Sequence, residues 1–327
     1  MASNALRAVL AALPVVVPLT LAAPAAAETS DPLDAVVERD DAERFIALWR
    51  ESGGAPSAAQ LDEGYIAEGS RAVEIFLPGR IESGAHLAAT IAADPQLYAD
   101  AIGRCYPWLA QADGELRAIY LAFSGLLPDR ELPRIAVVFG ANNSGGTAAP
   151  GMQVLGLEVL CRLSADEAAF RELLRAFFAH ETVHTLQVVD DADLGGDGLL
   201  SWALVEGSAD YVAGLVTGRS LDPGRDAWAS ANEETVWREF AHDRALMRDP
   251  ATSPEDRQAT ARRWFANAGS PPPGWPSELG YWVGARIAQG YVDSSSDRRL
   301  AIGQLLAADD PQAILAASGL ADRLAAN

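Results

Sequence analysis

The sequence predicts an α+β fold that is predominantly helical, with a small β-hairpin or sheet just ahead of one long amphipathic helix. Three observations carry this expectation. Apolar residues recur at three- and four-residue spacing through most of the 327 residues. One region only, Ile135–Phe139 and Met152–Leu160, reads as extended, and the turn-rich stretch Asn143-Ser144-Gly145-Gly146-Thr147 separates its halves. From Ala169 the helical period returns, with Leu173, Phe177, His180 and His184 on one face.

Residues 1–27 have the layout of an export signal. Arg7 is their only charge, an apolar run extends from Ala8 to about Leu21, and Ala25-Ala26-Ala27 supplies the small-residue cleavage pattern. Pro14 and Pro18 break the short run, which favours a cleaved signal over a membrane anchor. No later stretch reads as a membrane span, and no cysteine follows the signal as a lipoprotein would require. The expected location is secreted, periplasmic or in the cell envelope. Acidic, polar residues 28–41 read as a flexible leader, and 42–327 as a single domain.

Within that domain, Gly and Pro separate expected helices over Ala42–Glu51, Ser57–Tyr65, Ser83–Ala93, Pro95–Cys105 and Asp113–Ser124. The two extended segments can pair as a hairpin. Ser164, with Glu167 three residues on, has the capping-box spacing that starts the long helix. A second helix covers Leu199–Ala213 and a third Asn232–Leu246. After the rigid link Ser270–Pro276 comes Glu278–Tyr291, where Tyr281, Gly284 and Ala288 share a face suited to close helix packing.

The net charge of −20 makes nucleic acid and anionic membranes poor partners. Only two cysteines occur, Cys105 and Cys161. They can form a disulfide or remain two separate buried thiols, and nothing in the sequence decides between these. The Asp- and Gly-rich stretch Val188–Gly198 lacks EF-hand spacing and reads as a solvated acidic loop.

The chemistry concentrates in His180-Glu181-Thr182-Val183-His184. Four residues advance a helix by about 400°, so the two imidazoles stack on one face and can share a metal ion. Glu181 is turned about 100° away, where a general base for a metal-activated water belongs. A catalytic zinc ion (Zn2+) takes three protein ligands, and Glu206 on the next helix is the expected third. Asp210, one turn later, is the expected carboxylate partner of a metal-bound histidine.

A Glu ligand on a second helix with an acid four residues on resembles the gluzincin branch of zinc metallopeptidases. A wider resemblance is carried by Phe139, Asn143–Thr147, Leu155–Glu158, His180–His184, Glu206–Asp210, Gly280–Gly284 and Ser318-Gly319. In that order these segments resemble a bacterial family of predicted zinc-dependent proteases, gluzincin-like domains distantly similar to gliding-motility lipoproteins. The resemblance covers about Ala42 to the C-terminus. It implies a gluzincin-like fold with zinc on His180, His184 and Glu206, acting on a peptide or protein substrate. It also implies an oxyanion donor, for which Tyr281 in its Gly-Tyr-x-x-Gly segment is the first candidate, a core-packing role being the alternative, with Tyr211 and His242 in reserve. Two other readings stand beside peptide hydrolysis: a non-catalytic zinc-binding envelope factor, and a zinc hydrolase of a cell-wall amide.

Overall fold

The computed structural model describes residues 31–187, 197–307 and 310–324. The expected signal 1–27 and most of the acidic loop therefore lie outside the described residues. Two compact units divide the chain, 1–185 and 186–327. The described structure is predominantly helical with one small mixed sheet of four strands.

In the first unit, strand β1 (Val37–Glu38) leads into α1 (Asp40–Glu51). The leader expected over 28–41 is thus structured from Asp31 onward: β1 joins the sheet, and its Val37 N–H donates to Asp113 Oδ1 at 2.9 Å. Short helices follow, α2 (Ala58–Leu61), α3 (Arg71–Phe76), α4 (Gly84–Ala93), α5 (Pro95–Asp100) and the single turn α6 (Tyr106–Trp108). Local chemistry starts them where the sequence indicates. Ser57 and Gln60 form a reciprocal capping box on α2, Ser83 caps α4, and Asp94 with Pro95 opens α5. Helix α7 (Ala112–Leu126) then leads to β2 (Arg134–Val138), β3 (Gly146–Ala149), β4 (Met152–Gly156) and α8 (Leu157–Arg162).

The sheet differs from the expected hairpin. Strand order is β1-β2-β4-β3, with β2 parallel to β4 and β3 antiparallel to β4. The loop after β2 supplies β3, and the hairpin is made at Pro150-Gly151, where Gly151 takes φ +71°. Every residue of β4 is buried, as a central strand covered on both faces requires. The extended stretch also ends sooner than expected, since Leu157 already begins α8.

Cys105 and Cys161 are bonded, tying the segment after α5 to α8 and leaving no free cysteine among the described residues. The bridge closes 56 residues, a span whose closure stabilises by about 4 kcal/mol in the chain-entropy account. Helix α9 (Glu167–Leu186) ends the unit. Its cap is Asp166, whose Oδ1 accepts from Ala169 N–H at 2.9 Å. The expected cap, Ser164, instead donates its hydroxyl to Leu160 O at the end of α8.

The second unit comprises α10 (Gly198–Thr217), α11 (Pro223–Ala231), α12 (Glu233–Arg248), α13 (Pro254–Trp264), α14 (Leu279–Ser294), α15 (Arg298–Ala307) and α16 (Pro311–Ala317). Helix α10 is long and apolar enough to cross a membrane by length and composition, contrary to expectation. It is the core helix of this unit, with 56% of its apolar window buried. Helices α10 and α14 cross in backbone contact: a Cβ on Gly284 would lie 1.6 Å from Ala203 O, and one on Gly207 2.2 Å from Ala285 N. No side chain fits at either position. Gly284→Val is expected to destabilise the protein by about 3 kcal/mol or more through forced separation of the two helices. Thermal unfolding followed by circular dichroism checks this, and an unchanged midpoint would refute the contact.

Candidate functional site

Helix α9 builds its site from two adjacent faces. Phe170, Leu174, Phe178 and Val183 are buried in the core, while Phe177, His180, Glu181 and His184 are half-buried beside them. The i, i+4 spacing brings the imidazoles together as expected: His180 Nε2 and His184 Nε2 are 3.0 Å apart, with ring planes at 84°. The sheet holds this helix one turn earlier, where Gln153 Nε2 of β4 donates to Phe177 O at 2.7 Å. The loop before β3 presses on the same turn. A Cβ on Gly145 would come within 2.8 Å of the Phe177 ring, so glycine is required for that approach. Glu181 lies within electrostatic range of Arg80, whose pKa burial lowers and Glu181 raises in part.

The other predicted residues gather on α10 and α14. Glu206 and Asp210 are one turn apart on α10, and the crossing at Gly207 and Gly284 sets Tyr281 against them. Tyr281 hydrogen-bonds the Glu206 side chain. Its hydroxyl is held well above the usual tyrosine pKa, by burial first and then by the charges of Glu206, Glu278 and Asp210. Asp210 Oδ2 accepts from Arg225 Nη2 at 2.5 Å, and the two side chains are 8% and 4% exposed. Arg225 also meets Asp226 at 3.2 Å and stands 5.6 Å over the Tyr281 ring.

Arg225 and Glu278 were not anticipated as parts of this cluster. Arg225 belongs to the first turn of α11, whose start was readable: Asp222 accepts from Arg225 N–H at 2.8 Å and Pro223 follows. Glu278 sits at φ +56° ahead of α14 and accepts the N–H groups of Ala266, Asn267 and Ala268 at 3.0 to 3.1 Å. Of the reserve candidates, His242 is a surface residue with a 72% exposed side chain, 3.2 Å from Asp243 Oδ1. Tyr211 is half-buried, and burial, followed by Asp293, raises its pKa.

Residues 223–320 match the family model of gliding motility protein GldB. Comparisons with curated proteins and with solved structures return no match. The match agrees with the distant similarity drawn from the sequence, over a limited span. The GldB-like segment holds Arg225, Glu278 and Tyr281, and lies wholly after His180, Glu181, His184 and Glu206.

One further carboxyl group stands out in the first unit. Glu158, at the start of α8, is 0% exposed; Oε1 accepts from Asn142 N–H at 3.3 Å, and Oε2 has no hydrogen-bond partner among the described residues. Burial pushes its pKa up to about 7, against the lowering effect of bonds from the Gly140, Glu158 and Asn142 backbone.

Two outcomes follow from this arrangement. Arg225→Met is expected to cost about 3 kcal/mol or more, because Asp210 is left buried without its counter-charge. Denaturant titration checks this, and adding Asp210→Leu should recover part of the loss. For Glu158 the folded pKa lies above the reference of 4.5, so the folded state holds the proton more tightly. Its contribution is full below about pH 4.5 and is lost as pH rises through about 7. Glu158→Gln should flatten that decline, with a higher melting temperature than the parent at pH 8 and little difference at pH 4.5. Parallel melting curves at both ends of the range would expose a wrong sign.

Proposed function

We propose that the protein is an exported zinc-dependent metallopeptidase of gluzincin type, with His180, His184 and Glu206 holding the metal. The observation that carries this reading is the donor set. The two imidazole nitrogens converge to 3.0 Å on one helix, and Glu206 is the carboxylate that the motif order of the sequence supplies from the next helix. Two nitrogens at 2.0–2.1 Å from a tetrahedral zinc ion stand about 3.3 Å apart, close to the separation found here. Two neutral imidazoles and one carboxylate are a ligand set that zinc accepts while keeping a fourth position open.

Zinc held by these residues would supply the Lewis acidity that makes water a nucleophile near neutral pH. Glu181, next to His180 but turned from the ligand face, takes a proton from the attacking water. It then returns the proton to the leaving amine. Tyr281 donates its O–H to the carbonyl oxygen as negative charge develops. Burial among carboxylates suits Tyr281 to this task, since its proton stays in place across the working pH range. Asp210, fixed by Arg225, is the carboxylate that the sequence pattern offers as partner to a ligand imidazole. Edge strand β3, whose outer side pairs with no strand among the described residues, offers its main chain to an extended peptide. β4, the strand nearer the metal helix in sequence, lies inside the sheet and has no such edge.

The GldB match favours a second reading, a metal-binding factor of the cell envelope without catalysis. A hydrolase of a cell-wall amide would use the same residues. Variants of the purified protein separate these. His180→Ala should lose the metal by elemental analysis. Glu181→Gln should keep it while hydrolysis of a peptide library falls by about 10²-fold or more, and Tyr281→Phe should lower kcat by a comparable factor with metal retained. A parent protein that binds zinc yet cleaves neither peptides nor purified cell wall would favour the envelope-factor reading.

A further inference from the structure

Arg80 carries a charge that the proposed reaction leaves unused. It lies in the turn Leu77–Ile81 after α3, where Gly79 at φ +70° lets the chain reverse. Two bonds tie this turn to the loop ahead of β3. Ala141 N–H donates to Arg80 O at 2.8 Å, and Asn143 Nδ2 donates to Gly79 O at 3.0 Å. The guanidinium is half-buried: Nε donates to Ser144 Oγ at 3.3 Å, Nη1 donates to Pro78 O at 3.3 Å, and the Phe76 ring lies 5.8 Å from its central carbon.

This cation lacks a counter-ion at contact distance. Among the described residues no carboxylate pairs with Arg80, and Nη2 makes no hydrogen bond. Glu181 is the one acid that acts on it, through space. The same loop carries a buried acceptor, Asn143 Oδ1, that no donor among the described residues meets. Acidic residues outnumber basic ones by 45 to 25 in this chain. Against that excess, a half-buried arginine without an acid at contact distance has a natural partner in an acid that arrives with the ligand. A guanidinium presents a planar fork matched to a carboxylate, and partial burial strengthens the bond it would form.

We propose that Arg80 is a specificity-determining residue that binds a substrate carboxylate, with Asn143 Oδ1 accepting a substrate N–H beside it. This rests on the peptidase reading given above. The carboxylate has two sources, the free C-terminus of a peptide or an Asp or Glu side chain near the scissile bond. The recognising chemistry is the same for both.

The test uses full-length zinc-loaded protein and peptides in matched pairs: Glu against Gln at single positions, and free acid against amide at the C-terminus. Calorimetric binding is measured in a Glu181→Gln background, so that the ligand survives. At least a ten-fold preference for the carboxylate member of one pair is expected, and the pair that shows it assigns the source. Adding Arg80→Gln should abolish the preference while leaving the amide member's affinity unchanged; Arg80→Lys should retain part of it. With Glu181 intact, Arg80→Gln should raise KM for the carboxylate member of that pair and much less for its uncharged partner. Equal affinity within every pair, a preference that survives Arg80→Gln, or no binding of any peptide would overturn the proposal. Arg80-dependent binding without cleavage by the parent protein would instead sink the peptidase reading and leave the carboxylate site standing.

Discussion

The second unit depends on one contact, the backbone-to-backbone crossing of α10 and α14 at Gly207 and Gly284. Ordinary helix pairs are held 8 to 10 Å apart by side chains, but here each glycine faces main-chain atoms of the other helix. The consequence is chemical as well as mechanical. Glu206 immediately precedes one glycine, and Tyr281 precedes the other by three residues, nearly one turn. Removing the two side chains at the crossing lets a short carboxylate and a phenol meet across it. A side chain at either glycine would part the acid from the hydroxyl before it altered either residue.

Charge explains why this neighbourhood also needs Arg225. Glu206, Asp210 and Glu278 all act on Tyr281, and like charges gathered in a poorly solvated region repel one another. Arg225 neutralises Asp210 directly, and Glu278 draws on three backbone N–H groups.

What was readable in advance follows the range of the interactions. The helices announce themselves through apolar spacing and Ser or Asp caps, which act within a few residues, and the His180–His184 pair is a property of one helix turn. The sheet departs from the expected hairpin because two extended segments close in sequence favour direct pairing, whereas Gly146–Ala149, rich in Gly and Ala, supplies the strand that makes the hairpin with β4. Pro150-Gly151 was the local signal for the true hairpin. The structured stretch from Asp31 was hidden for another reason: Val37 is ordered by residues 76 and 98 positions away, Asp113 and Ile135. Arg225, Glu278 and Arg80 could not be singled out from sequence, because their significance arises only from what the fold sets beside them.

The GldB-like segment and the metal motif divide the molecule's information unequally. Helices α11 to α16 carry the match, and with it Arg225, Glu278 and Tyr281, which position and polarise. The groups that would perform chemistry, His180, Glu181, His184 and Glu206, come from α9 and α10, ahead of the matched residues. A scaffold of packed helices is compatible with many functions, whereas a carboxylate one residue from a converging pair of imidazoles is what the proposed activation of water requires. The presence of Glu181, rather than the likeness of the C-terminal helices, is therefore the feature that weighs toward catalysis.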